Sequence, residues 1–190
     1  ARLKDGHSEV RPGPGRAPLV WPEDAPFGGR RGHSGLAWCR IGKKIYVKQA
    51  LGPALDAEVP PGAEILKVDD LAVEKWLAAR QAEASDVYSF STDQQAFFWT
   101  THLGLSGQEG GRMELEMKTP DGKKKKRTLT FGARSYRTYG PAVLPENMKE
   151  SGDVSWAKLP SGIAYLYVRR CKDDLPERVD DALAELADAP

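Results

Sequence analysis

Apolar and polar positions change rhythm several times along the chain, and each change predicts an element. After Gly35, the segment Leu36-Ala37-Trp38-Cys39-Arg40-Ile41 is a short apolar-rich run. Gly42-Lys43-Lys44 suits a tight reversal into Ile45-Tyr46-Val47, whose β-branched and aromatic residues favour a strand. Pro53 in a first turn predicts a short helix over Gly52–Ala57, stopped by Pro60-Pro61-Gly62. Ala63–Val68 reads as a strand, followed by an Asp69-Asp70 turn and a brief Leu71-Ala72-Val73. Glu74–Ala84 is helical by propensity, anchored by Trp76 and Leu77.

A second long helix is predicted over Asp93–Leu103. Thr92 or Asp93 stands where a side chain can cap free amides, and Gln95 follows three residues after Thr92. Helical spacing puts Ala96, Trp99, Thr100 and Leu103 on one face. Met113-Glu114-Leu115-Glu116-Met117 alternates as a half-buried strand does, Pro120-Asp121-Gly122 signals a hairpin turn, and Arg127–Phe131 returns as the partner. Residues 132–160 have weak periodicity. Gly162–Val168 is apolar on both faces, the pattern of a central strand in a covered sheet. Asp174 is placed to cap a helix with Glu177 three later and a stripe of Leu175, Val179, Leu183 and Leu186. A strand followed by an amphipathic helix opens an α/β unit.

The 190 residues suffice for one full domain and part of another. Residues 11–32 hold five prolines and five glycines, which favours a linker or surface loop over a helix. The organisation expected is therefore an N-terminal remnant and linker over 1–32, a mostly antiparallel domain over 33–132, and a connector with a strand–helix unit over 133–190. The fold class is α+β. The strand that the last helix should lead to is missing, so we expect a piece of a longer protein, cut inside its second domain.

Charge and composition narrow the chemistry. A net charge of +1 argues against a dedicated nucleic-acid binder. Lys123–Arg127 follows the hairpin turn directly and reads as a solvated strand edge, where lysines also discourage edge-to-edge pairing. No apolar run approaches the ~20 residues of a membrane-spanning helix. Cys39 and Cys171 have no metal-ligand spacing, and whether they pair is open. The acidic residues of 172–190 form a solvated helix face without His or Cys at ligand spacing, so neither metal nor cofactor is expected.

Taken in order, these segments resemble a PDZ domain. Gly35-Leu36-Ala37-Trp38 stands where that family has its Gly-Leu-Gly-Phe carboxylate loop. Gly52-Pro53-Ala54 resembles its Gly-Ser-Pro-Ala helix start without the serine. Pro61-Gly62-Ala63-Glu64-Ile65-Leu66-Lys67-Val68-Asp69-Asp70 is similar to its Pro-Gly-Asp strand, with Ala63 in place of Asp and Asp70 in place of Gly. The match covers about residues 33–132, with 74–91 as an insertion. With Ser161–Arg169 and an acidic helix behind it, the whole resembles the tail-specific, or C-terminal processing, serine peptidases; Ala164 stands for the second Gly of that family's strand.

The resemblance implies a peptide-binding site. A peptide's terminal carboxylate would sit on the amides of the Gly35–Trp38 loop, at Leu36, Ala37 and Trp38. The rest of the peptide would add as a strand beside Trp38–Ile41, with Ala96, Trp99, Thr100 and Leu103 lining the helical wall. The partners implied are the C-terminal tails of protein substrates. Leu3-Lys4-Asp5-Gly6-His7-Ser8 resembles the Asp-x-His-Ser/Thr stretch of tricorn-core-like members, which makes His7 the catalytic histidine. Other members use a Ser–Lys pair, and that choice stays open. The nucleophile is expected beyond Pro190, so this chain should cleave nothing alone. The family also implies a periplasmic or secreted location; oligomeric state is open. The competing reading is a non-catalytic PDZ scaffold that only binds partners.

Overall fold

The computed structural model describes residues 31–133, 136 and 140–187. The chain divides into two compact units, residues 1–139 and 140–190. Every strand pairing among the described residues is antiparallel, and four helices accompany eleven strands, so the molecule is α+β as expected.

In the first unit the main sheet runs β2 (Leu36–Ile41), β3 (Lys44–Ala50), β4 (Glu64–Val68), β7 (Arg112–Lys118), β8 (Lys124–Thr130), with the two-residue β5 (Leu71–Ala72) paired to β4. A separate ribbon joins β1 (Arg31–His33) to β6 (Ser106–Gln108). β1 begins inside the segment expected to be linker. Its three residues carry no apolar signal, and the strand exists through pairing with a distant partner.

Three helices belong to this unit: α1 (Pro53–Asp56), α2 (Val73–Val87) and α3 (Asp93–His102). The α3 start follows the sequence, since the Thr92 hydroxyl accepts from the Gln95 amide at 3.1 Å. The Gln95 side chain reaches back to the Ser91 amide at 2.8 Å rather than to Thr92. The core lies between sheet and helices, with Leu36, Trp38, Ile45, Val47, Ile65, Leu77, Leu105, Met113, Leu115 and Leu129 buried. Burying each large apolar side chain contributes roughly 1.5–3 kcal/mol. Met113, Leu115 and Met117 all point inward, as their alternation demands.

The Asp69-Asp70 turn places both residues in the left-handed region, at φ 47° and 63°. This is costly for residues with a Cβ, although short polar side chains tolerate it best. Asp69 is held there by Glu114, whose amide donates to its Oδ1 at 2.8 Å.

The second unit is a three-stranded sheet ordered β11 (Ala164–Val168), β10 (Val154–Lys158), β9 (Lys149–Ser151), with α4 (Leu175–Glu185) packed on β10. Two expectations change here. The apolar Ala164–Val168 strand lies at an edge of this sheet, and the central position belongs to β10, where Val154 through Ala157 are all buried. The buried stripe of α4 is Leu175, Val179, Ala182 and Leu186, whereas Leu183 is 51% exposed. Asp174 caps no amide; its carboxylate instead accepts from Arg178 Nε at 2.7 Å, and Arg178 Nη1 donates to Ser151 Oγ at 2.6 Å.

Candidate functional site

Among the described residues β2 ends the main sheet, paired only with β3, and α3 packs beside it. A strand edge next to a helix is the geometry that adds an extended peptide, with backbone bonds supplying affinity and side-chain pockets specificity. Register breaks between Ala37 and Trp38: Ala37 faces Gln49 but Trp38 faces Val47, leaving Lys48 as the extra residue on β3. Such a bulge interrupts strand alternation. On β2 itself Leu36, Ala37 and Trp38 are buried in succession.

Gly35 holds the loop in shape. Its φ is +74°, and a Cβ there would lie 1.8 Å from the Leu51 carbonyl oxygen. That approach lets the Leu51 amide donate to the Gly35 carbonyl at 2.8 Å. The Leu36 amide, one of the three expected to meet a carboxylate, donates to Ser34 Oγ at 3.2 Å. Trp38 is buried with its ring centroid 5.6 Å from that of Trp76, and its buried indole Nε1 has no hydrogen-bond partner among the described residues.

On α3 two side chains outside the expected stripe reach residues of β2 and β3. Phe97 carries the Arg40 guanidinium over its ring, 4.1 Å from the centroid, and His102 Nε2 lies 3.4 Å from Lys48 Nζ. Phe97 and His102 therefore look toward β2 and β3. Trp99 turns the other way, against Tyr88 and Phe90 at centroid distances of 4.8 and 6.0 Å. Leu103 is exposed, and Thr100 is buried with its hydroxyl donating to the Ala96 carbonyl at 2.8 Å. Three successive aromatics, Phe97-Phe98-Trp99, leave the phase of the helix ambiguous in sequence. The i, i+4 spacing of Phe97 with Thr101, and of Phe98 with His102, was the signal that could have fixed it.

The electrostatics of this corner follow from burial. His102 Nδ1 lies 2.9 Å from the Phe98 carbonyl, so Nδ1 carries the ring proton and donates it there. Nε2 is left as an acceptor for the Lys48 ammonium. Burial pushes the His102 ring below its usual range, against the Phe98 carbonyl, which favours the charged form, and with Lys48 adding to the depression. Burial likewise lowers Lys48. The Phe98 ring stacks on His102 at 4.2 Å and completes the enclosure.

His7 lies outside the described residues. Both cysteines are free thiols. Among the described residues no three His, Cys, Asp or Glu side chains gather as metal ligands, and no helix is long and apolar enough to cross a membrane.

The fold defines a mixed α+β class with mostly antiparallel sheets. No family model matches the chain, and no curated protein matches it. Among solved structures, mature CPAF is similar over 72% of this chain and 31% of its own, at 14% identity and a TM-score of 0.46. The photosystem II D1 C-terminal processing protease is similar over 84% of this chain and 37% of its own, at 16% identity and a TM-score of 0.37. Mature CPAF complexed with lactacystin is similar over 53% and 20%, at 16% identity and a TM-score of 0.36. The chain thus spans between 20% and 37% of those chains.

Proposed function

We propose that residues 33–132 form a PDZ-type module that binds the C-terminal tails of proteins, set in front of the core of a serine endopeptidase of the C-terminal processing kind. The observation that carries this reading is the sheet edge β2 lying beside α3, reached through a left-handed Gly35 in the order of elements that the sequence resemblance implies. An extended tail would add to β2, and its carboxylate would meet the amides at Leu36, Ala37 and Trp38.

The Ser34 hydroxyl occupies the Leu36 amide in the free protein. Tail binding on this reading exchanges that bond for a charge-assisted one, worth roughly 1.5–3 kcal/mol net. In the parent protein His7 would be the general base, the nucleophilic serine would come from beyond this chain, and the chain alone would be inactive. A periplasmic or secreted location goes with the same reading.

Calorimetric titration with the free-acid and C-terminally amidated forms of one apolar-tailed peptide tests it. The free acid should bind at least about tenfold more tightly. Equal affinities would remove the carboxylate loop from the reading.

A further inference from the structure

We propose that Arg40 is the specificity-determining residue of the groove between β2 and α3, and that it selects tails carrying an acidic side chain about two residues before the last one. This rests on the tail-binding reading above and adds the class of tail that the same site would take.

Opposing residues of an antiparallel ladder share a face of the sheet. Arg40 stands opposite Ile45, and Ile45 opposite Ile65, both buried in the core beneath the helices. Arg40 therefore projects from the helix-bearing face, although it is itself exposed. Its guanidinium lies over the Phe97 ring of α3, 4.1 Å from the centroid, and so crosses the gap between strand and helix that an added strand would enter. Its neighbour Cys39 belongs to the other face, in line with Tyr46 and Glu64. A terminal carboxylate on the amides of Leu36, Ala37 and Trp38 would set the last guest residue near Trp38. Trp38 and Arg40 share a face because side chains alternate along a strand. The guest side chain beside Arg40 is then about two residues upstream of the last, and those next to it point away.

The guanidinium leans on a ring and not on a carboxylate. Among the described residues its N–H donors make no hydrogen bond or ion pair. Glu64 lies on the opposite face and is held by Lys44 at 2.9 Å. Asp93, one turn before Phe97 on α3, forms no ion pair with Arg40. The other charged or titratable side chains known to face this corner, Lys48 and His102, are set against each other. A cation–π contact at an exposed site is weak. A carboxylate, by contrast, is taken by the guanidinium fork through two parallel charge-assisted bonds. The Phe97 ring already holds Arg40 at the groove, which reduces the ordering cost of making that pair. An acidic side chain on the guest would meet a positioned cation with its donors still available.

The test is calorimetric titration of the whole chain with free-acid peptides that share one apolar terminal residue and carry a single Glu, or Gln in its place, moved stepwise through the preceding positions. Glu should bind about threefold to tenfold more tightly than Gln at the position beside Arg40, and no more tightly at the positions on either side of it. Arg40→Gln should remove the difference. Arg40→Glu should reverse it, so that Lys at that position binds more tightly than Glu, a gain that misfolding cannot imitate. A Glu preference equal at every position, or one that survives in Arg40→Gln, would assign the attraction to Lys48 or to the lysines of β8 and overturn the proposal. Glu and Gln binding alike throughout, with the free acid still tighter than the amidated form, would overturn the role of Arg40 and leave the tail-binding reading standing. Absence of binding, or equal binding of free acid and amide, would overturn both.

Discussion

The Lys48 ammonium stands 3.4 Å from Nε2 of His102, and the opposite ring nitrogen is spent on the Phe98 carbonyl. The pairing joins the bulged residue of β3 to the last turn of α3, and it demands a neutral imidazole. A proton on Nε2 would set two cations against each other in a buried corner.

That relationship makes stability depend on pH. The folded His102 ring lies below the ordinary value of 6.5, and His33 is lowered too, by burial and then by Arg31. Above 6.5 neither folded nor unfolded chain holds the proton, and stability is at its plateau. As pH falls through 6.5 the unfolded chain takes up protons first, so stability declines until the folded rings also protonate. Urea denaturation between about pH 8 and pH 5 should show this loss, and His102→Gln should flatten its share. A His102 ring that titrates by NMR at or above 6.5 would contradict it.

Ser34→Ala should separate stability from tail binding. The free protein loses the bond to the Leu36 amide, about 1 kcal/mol. That amide is then available without competition, so free-acid peptides should bind more tightly. Denaturation and calorimetry on the same preparation read both effects, and an unchanged or weaker peptide affinity would count against the carboxylate loop.

Gly35→Ala and Gly42→Ala form an informative pair. Both positions have positive φ, but a Cβ at Gly35 would collide with the Leu51 carbonyl, while one at Gly42 meets nothing within 4 Å. Gly42→Ala should cost about 1–2 kcal/mol for handedness alone. Gly35→Ala should cost on the order of 3 kcal/mol or more. Similar costs in chemical denaturation would show that the loop relaxes around the collision.

In the second unit, Leu186→Ala should cost about 2–4 kcal/mol, because Leu186 packs with Val154, Trp156 and Ala182. Leu183→Ala should stay within about 0.5 kcal/mol, since that side chain is half exposed. Amide exchange of β10 reports the difference directly, and a reversed order would reinstate the stripe read from sequence.

The elements that sequence revealed are those whose signal is local. Strict alternation over Met113–Met117, with Pro120-Asp121-Gly122 behind it, predicts the hairpin because a strand buries every second residue and the turn needs its own backbone angles. Thr92 and Gln95 predict the α3 start for the same reason. What stayed hidden depends on distant partners. β1 is Arg-Gly-His, without an apolar residue, and is a strand only through Ser106–Gln108. The packing of Trp99 against Tyr88 and Phe90 likewise joins residues that no local pattern links. Val154–Lys158 became a central strand because β9 and β11 flank it.

The two ends of the main sheet are chemically unequal. β8 closes one end with Lys124, Lys125, Lys126 and Arg127 in a row, exposed but for a half-buried Arg127. A second strand arriving there would have to desolvate or crowd that row, which like charges resist. β2, at the other end, has only Arg40 as a cation, and its guanidinium is already laid on Phe97. On the tail-binding reading proposed above, an extended guest would therefore add at the β2 end of the described sheet, and the lysine row guards the opposite end against a second strand.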